Sequence, residues 1–310
     1  MNLGSETRNG YFISAEMKKV WAVEMELLKK LMEVCEKHHL RIWAEGGTLL
    51  GTIRHKGYIP WDDDIDMAMP RKDYDKLQEI AKDEFKTPYF FQSGYTDIFP
   101  YGMIKIRKDG TTAITVGSVP YQFHQGIFID IFPIDTVPDD DILLNRFIES
   151  VDSKREEMKL FCNHAFSLTN PKFNWNILKL KWKVNSLGFA NYFRSYDEYC
   201  KQFENTNNKR VSLISWKWQP RYLRKKEWYN DTIMLPFENI MMPVPSCYHE
   251  ILLTQFGDYM TPVQAPSMHG GIEAFDVDHS YKEILPQIRK KHQWDNWNAR
   301  KDSILKKLHI

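Results

Sequence analysis

Four carboxylates in five positions, Asp62, Asp63, Asp64 and Asp66, follow a Gly-Gly turn and an Arg-His pair in the stretch EGGTLLGTIRHKGYIPWDDDIDMAM, residues 45–69. An ionised carboxylate buried in a sheet is costly unless a cation or hydrogen bonds compensate it, so something positive is expected beside these residues. A strand period of two sends Ile65, Met67 and Met69 to one face and Asp64, Asp66 and Ala68 to the other, so that two carboxylates project side by side. Magnesium, with manganese as its substitute, takes oxygen ligands of this kind together with substrate phosphates. Asp130, inside the apolar run IFIDIF, offers a third carboxylate that could complete a metal site or take a proton from an attacking hydroxyl. Gly46, Gly47 and Thr48 open a short helix whose backbone N–H groups can approach phosphate oxygens. Together these parts point to metal-assisted phosphoryl transfer.

Each part also has a plainer reading. A Gly-Gly pair can be only a turn, and an Asp-x-Asp pair only a solvated strand edge. Asp62 and Asp63 read as solvated loop carboxylates or helix caps. Arg54 and His55 either close a helix C-terminus, where cations are favoured, or neutralise a diphosphate. Asp130 is hardest to explain structurally, because it lies between Ile129 and Ile131 in what reads as a central strand.

The elements that must position these groups can be read from periodicity. Ser14 reads as the N-cap of a helix ending near His39, with Met17, Trp21, Met25, Leu28, Met32 and Cys35 on one face. LRIWAE is a short strand, TLLGTIR a short helix, and RKDYDKLQEIAKDEF a helix after Pro70. Further strands are expected at 89–92, 103–108, 111–114 and 126–132. The pattern predicts an α+β fold: a mixed sheet flanked by helices over residues 1–138, an added helical region over 139–215, and a C-terminal part over 216–310 that completes the domain. SCYHEILLTQFGDYM is predicted to be a helix ending near Gly257.

With 43% hydrophobic and 14% aromatic residues, the 310-residue chain can bury a sizeable core. Its 42 Lys and Arg nearly balance 41 Asp and Glu, so no global field draws it to nucleic acid, and a charged-ligand site must be local. Cys35, Cys162, Cys200 and Cys247 form no CxxC pair, which favours a reducing cytoplasm over a disulfide framework. No apolar run is long enough to cross a bilayer.

GGTLLGTIRHKGYIPWDDDID, then IKIRKDGT and GIFIDIFPID, resemble the LicD family of phosphorylcholine transferases, which is similar to fukutin-related protein. YLRKKEWYNDTIMLPFE and FGDYMTP extend the likeness over most of the chain. The resemblance implies a nucleotidyltransferase-like core, metal ligands at Asp64 and Asp66, and Asp130 as the third acidic residue. It also implies a reaction in which phosphocholine moves from CDP-choline to a hydroxyl of a cell-surface glycan or lipid-linked glycan precursor, releasing CMP. On that mechanism Asp130 deprotonates the acceptor, and Arg54, His55, Lys105 and Arg107 become phosphate contacts. Lys105 and Arg107 can equally be read as a solvated strand face. Choline would need aromatic faces, for which Tyr58 and Trp61 stand in the right loop. Rival donors are CDP-ribitol, CDP-glycerol and CDP-ethanolamine. Ordinary nucleotidyl transfer and a non-catalytic glycan-binding scaffold compete with the transfer of a CDP-alcohol's phosphoryl half.

Gly270-Gly271 ahead of Asp276 and Asp278 imitates the first motif, but without a clear apolar strand it reads as a loop, and Cys247 with His249 lacks further zinc ligands. The tail, residues 288–310, carries seven Lys or Arg against two Asp with interspersed Trp and Leu. It is read as packing its tryptophans on the domain while Lys290, Lys291, Lys306 and Lys307 meet an anionic membrane surface.

Overall fold

A computed structural model describes residues 2–162, 182–264 and 271–293. The Ser14 hydroxyl accepts the Met17 N–H at 3.1 Å and caps helix α1 (Ala15–Lys37). That helix buries Trp21, Met25, Leu28 and Leu31 in the principal core. Ahead of it, β1 (Glu6–Arg8) and β2 (Tyr11–Ile13) form an antiparallel hairpin. Its turn residues Asn9 and Gly10 have φ of 50° and 78°, as the tight Asn-Gly hairpin turn requires.

The central sheet has seven strands and is mixed. Its middle is β8 (Phe128–Val137), every residue of which is buried. One edge of β8 runs parallel to β4 (Asp66–Pro70), which in turn pairs with the short β3 (Trp43–Ala44). The other edge pairs antiparallel first with β6 (Ile104–Lys108), itself joined to β5 (Tyr89–Gln92), and then with β9 (Arg210–Ser212), which carries β10 (Arg224–Lys225). A two-residue β3 and a β4 that begins at Asp66 are shorter than the apolar patterns suggest. Asp64 therefore precedes the strand and does not share its face.

A fully buried strand carrying two aspartates demands compensation for both. Asp135 receives it from Arg71 at 2.6 Å and from the Ser215 hydroxyl at 2.6 Å. Arg71 opens α3 (Arg71–Glu84) and also donates to Asp197 at 2.8 Å. Asp197 lies on α5 (Phe189–Cys200), which packs against α4 (Asp141–Cys162) through Phe147, Val151, Phe193 and Tyr196. One buried guanidinium thus ties the helical segment to the sheet.

In the C-terminal part, β11 (Thr232–Phe237) and β12 (Ile240–Pro245) form a hairpin. Helix α6 (Tyr248–Phe256) follows and ends at Gly257, where φ is 67°. β7 (Thr112–Thr115) pairs with β13 (Ile272–Asp276), so IEAFD is a strand where a loop was expected. Asp276 lies at its end, where it accepts the N–H groups of Asp278 and His279 at 2.8 Å each; it shapes a turn. The helix over 281–293 docks on that sheet through Leu285 against Ile114 and Val119. Gly270 and the tail tryptophans lie outside the described residues. No helix among the described residues is long and apolar enough to cross a membrane.

Candidate active site

Three polar residues lie in register across the three middle strands. Asp66 on β4 is the direct neighbour of Asp130 on β8, and Asp130 is the direct neighbour of Lys105 on β6. In-register neighbours project to the same face about 5 Å apart, so the pairing forces these groups together. Lys105 Nζ lies 2.6 Å from Oδ1 and 2.8 Å from Oδ2 of Asp130. Its ammonium also rests 3.4 Å from the centre of the Phe128 ring. The Asp130 charge is therefore compensated from within the sheet. The hydrogen bond goes to Oδ2, and Oδ1 meets the ammonium as an ion pair only.

The rest of the site is held by the turn into α2 (Gly46–His55). Glu45 donates its N–H to the Asp66 carbonyl at 2.9 Å, and the Asp66 N–H is accepted by the Thr48 hydroxyl at 2.8 Å. Thr48 is thus a buried clamp between helix and strand. Gly46 has φ of 53°, and a Cβ there would stand 3.3 Å from Asp66 Oδ2; a Cβ at Gly47 would stand 2.5 Å from Asp62 Oδ2. The glycines let two carboxylates close on the start of the helix, where the positive end of its dipole favours them.

Asp62, Asp63 and Asp64 present oxygens that lie within 4.8 Å of one another. They are half-buried and crowded, which corrects the expectation that Asp62 and Asp63 are solvated loop carboxylates. Burial, reinforced by Asp64, Asp130 and Asp62, pushes the Asp66 carboxyl well above its usual range, and Lys105 only partly offsets this. The Asp62 carboxyl is pushed up likewise, by burial and by Asp64 and Asp63. Beneath them the buried Glu24 carboxyl is also raised, first by burial and then by Asp64. An all-oxygen cluster with excess negative charge fits a hard divalent cation. Asp62, Asp63 and Asp64 are close enough together to hold one, with Asp66 and Asp130 in register beside them.

The remaining expected contacts divide. Arg54 and His55 occupy the last turn of α2, far from its glycine start. Arg54 donates to the Tyr259 carbonyl at 2.7 Å and to His55 at 2.9 Å, so the helix-closing reading accounts for it. Arg107 is buried, donating to Gln92 at 2.6 Å and to the Gly126 carbonyl at 2.7 Å; both bonds hold it inside the sheet rather than on a ligand. Tyr58 is 2% exposed, stacked on Trp21 at 4.3 Å and bonded to Glu24 at 3.0 Å, so no ring face is open to choline. Trp61 is partly exposed.

Arg224 and Gln255 were not legible as site residues. Arg224 grips Glu45 through both oxygens at 2.6 and 2.7 Å and reaches Gln255 at 2.8 Å, all buried. It thereby anchors the residue directly ahead of Gly46. The hint in the sequence is the segment YLRKKEWYNDTIMLPFE of the family likeness, in which Arg224 is one of several basic residues.

A mixed sheet with carboxylates gathered where two parallel strands begin, facing a glycine turn into a helix, is the arrangement of a nucleotidyltransferase-type domain. Residues 39–143 match the family described as LicD/FKTN/FKRP, nucleotidyltransferase domain. Over 254 residues the chain is 29% identical to the lipopolysaccharide cholinephosphotransferase LicD of Haemophilus influenzae, covering 79% of this chain and 93% of that protein. An uncharacterised protein of Rickettsia prowazekii is 42% identical over 114 residues, or 37% of this chain and 40% of that one. The human ribitol 5-phosphate transferase FKRP is 36% identical over 55 residues, 18% of this chain and 11% of that protein.

Proposed function

We propose that this protein transfers phosphocholine from CDP-choline to a hydroxyl of a cell-surface glycan precursor, of lipopolysaccharide or teichoic-acid type, and releases CMP. The observation that carries a phosphoryl-transfer reading is the in-register row of Asp66, Asp130 and Lys105 beside the Asp62–Asp64 cluster. The choice of choline rests on the likeness that spans 93% of the Haemophilus enzyme, whereas the likeness to the ribitol 5-phosphate transferase is confined to 55 residues.

In this mechanism the acceptor hydroxyl attacks the phosphorus that bears choline, in line with the bond to CMP. Asp130 takes the hydroxyl proton as the new P–O bond forms, and CMP departs with the electrons of the bond that breaks. Lys105 holds the Asp130 carboxylate in place. The first-turn N–H groups of α2, reached past Gly46 and Gly47, contact phosphate oxygens. Magnesium, or manganese in its place, held by Asp64 and Asp66, would supply positive charge for the phosphate oxygens and the leaving group.

We place the reaction at the cytoplasmic face of the membrane, a setting that suits four free cysteines and a lipid-linked acceptor. The test is a donor panel of CDP-choline, CDP-ethanolamine, CDP-ribitol and CDP-glycerol with magnesium, scored by melting temperature and by CMP release. CDP-choline should raise the melting temperature most, because a ligand stabilises the state it binds. A larger shift with CDP-ribitol would transfer the assignment to that donor, and pyrophosphate release from a nucleoside triphosphate would indicate ordinary nucleotidyl transfer.

A further inference from the structure

The N-terminal hairpin comes to rest on the carboxylate loop and is fastened there. Arg8 forms a two-point ion pair with Glu238, with Nη2 3.0 Å from Oε2, and Glu238 in turn accepts the Tyr58 N–H at 3.3 Å. Lys18 on α1 binds Glu6 at 2.7 Å. At the hairpin turn the Asn9 amide lies 3.1 Å from His55 Nδ1. On the other side of the ring, Nε2 accepts from Arg54 at 2.9 Å.

This docking sets three half-exposed rings at steep angles. Tyr11 meets Trp61 at 5.9 Å with planes 64° apart, and His55 meets Trp61 at 6.4 Å with planes 79° apart. The contrast with the neighbouring Trp21 and Tyr58 is informative, because those rings lie 3° from parallel and cover one another's faces. In each of these pairs the edge of one ring meets the face of the other, and all three rings stay partly exposed, so together they form a corner that a ligand can reach. Trp61 directly precedes Asp62, whose carboxylate closes on Gly47, so the corner adjoins the carboxylates that face the phosphates. Burial, and then the charges of Arg54 and Arg8, keeps the His55 ring below its usual pKa and hence uncharged near neutrality. Arg54 and Arg8 are themselves engaged by Tyr259, Glu238 and Glu6.

We infer that Tyr11 and Trp61, with His55 closing the corner, form the subsite for the quaternary ammonium of the donor, and that the N-terminal hairpin is therefore a specificity element. The inference rests on the choline reading above. A quaternary ammonium has no N–H to donate and is held by aromatic faces and diffuse negative charge; the corner supplies the first and Asp62–Asp64 the second. A primary ammonium, more strongly hydrated, gains less from the same walls.

Calorimetry on the full chain with magnesium, using CDP-choline, CDP-ethanolamine, CDP-ribitol and CMP, tests this with two variants. Tyr11→Leu keeps apolar bulk without a π face, and Tyr11→Phe keeps the face without the hydroxyl. Wild type and Tyr11→Phe should prefer CDP-choline, whereas Tyr11→Leu should lose about 3- to 30-fold of that affinity with CMP binding unchanged. Equal loss for CDP-choline and CMP, or no loss in Tyr11→Leu while wild type still prefers CDP-choline, would overturn the subsite and leave the choline reading standing. If wild type instead prefers CDP-ribitol, the choline reading and the subsite fall together.

Discussion

Asp66 and Asp130 are adjacent in register, but their surroundings predict opposite consequences when each loses its charge. Asp66 is crowded by Asp64, Asp130 and Asp62, so Asp66→Asn relieves repulsion. Turnover should fall to background, while the melting temperature without divalent cation holds or rises. Asp130 is the counterion of the buried Lys105. Asp130→Asn should therefore lower turnover and also destabilise by about 3–5 kcal/mol, because it strands an ammonium inside the sheet. Denaturant titration beside CMP-release assays separates the two; near wild-type activity in Asp64→Asn and Asp66→Asn alike would remove the metal-site assignment. His124 offers a prediction at the same scale. Its Nδ1 accepts the Gly126 N–H at 3.1 Å, and its Nε2 lies 3.0 Å from Asp109. Burial, aided by Arg107 and opposed by Asp109 and Asp97, lowers its pKa to about 4 from 6.5. The folded-state pKa is depressed, so above pH 6.5 the residue adds no pH dependence to stability, and as pH falls from 6.5 towards 4 the unfolded chain binds a proton that the folded chain refuses. Up to about 3 kcal/mol should be lost across that window. His124→Asn, which keeps an acceptor near Nδ1, should flatten the profile in urea melts recorded at successive pH values.

At the scale of elements, α2 carries two glycines whose replacement by alanine should fail in different ways. A Cβ on Gly47 meets only the far end of the Asp62 side chain, at 2.5 Å, whereas a Cβ on Gly51 meets the Gly57 backbone carbonyl at 2.5 Å. A carboxylate can swing aside and a backbone cannot. Gly47→Ala should thus leave stability within about 1 kcal/mol of wild type, alanine being the better helix former, and depress turnover by displacing Asp62. Gly51→Ala should lose about 1–3 kcal/mol by forcing helix and loop apart. Thermal melts paired with turnover measurements distinguish the cases; the reverse pattern would show that the Asp62 carboxylate is not held against α2 for function.

Across the whole molecule, charge is nearly balanced, so membrane contact has to come from a local patch. The helix over 281–293 docks on the domain, with Arg289 donating to the Val119 carbonyl at 2.8 Å, while Lys290 and Lys291 stay exposed. We expect full-length protein to sediment with anionic vesicles at low salt and less at physiological salt, and a variant with Gln at Lys290, Lys291, Lys306 and Lys307 to lose that binding. Failure of wild type to sediment at low salt would leave the tail a packing element only.

Local rules sufficed for much of this protein. Helix α1 with its Ser14 cap, the glycine turn into α2 and the presence of Asp130 in a buried strand are legible because capping, periodicity and turn chemistry depend on residues a few positions apart. The gathering of acidic residues was equally plain, since Asp62 to Asp66 are contiguous. What needed tertiary structure was partnership over long separations. The sequence places Lys105 and Asp130 on separate strands, and only the antiparallel register of β6 on β8 makes them an ion pair. Arg224 reaches Glu45 across 179 positions, and Arg8 reaches Glu238 across 230. Tyr58 and Trp61 look alike as loop aromatics, yet packing against Trp21 buries one while the other stays partly exposed beside the docked hairpin. A side chain's availability is set by what folds over it, and no spacing along the chain encodes that.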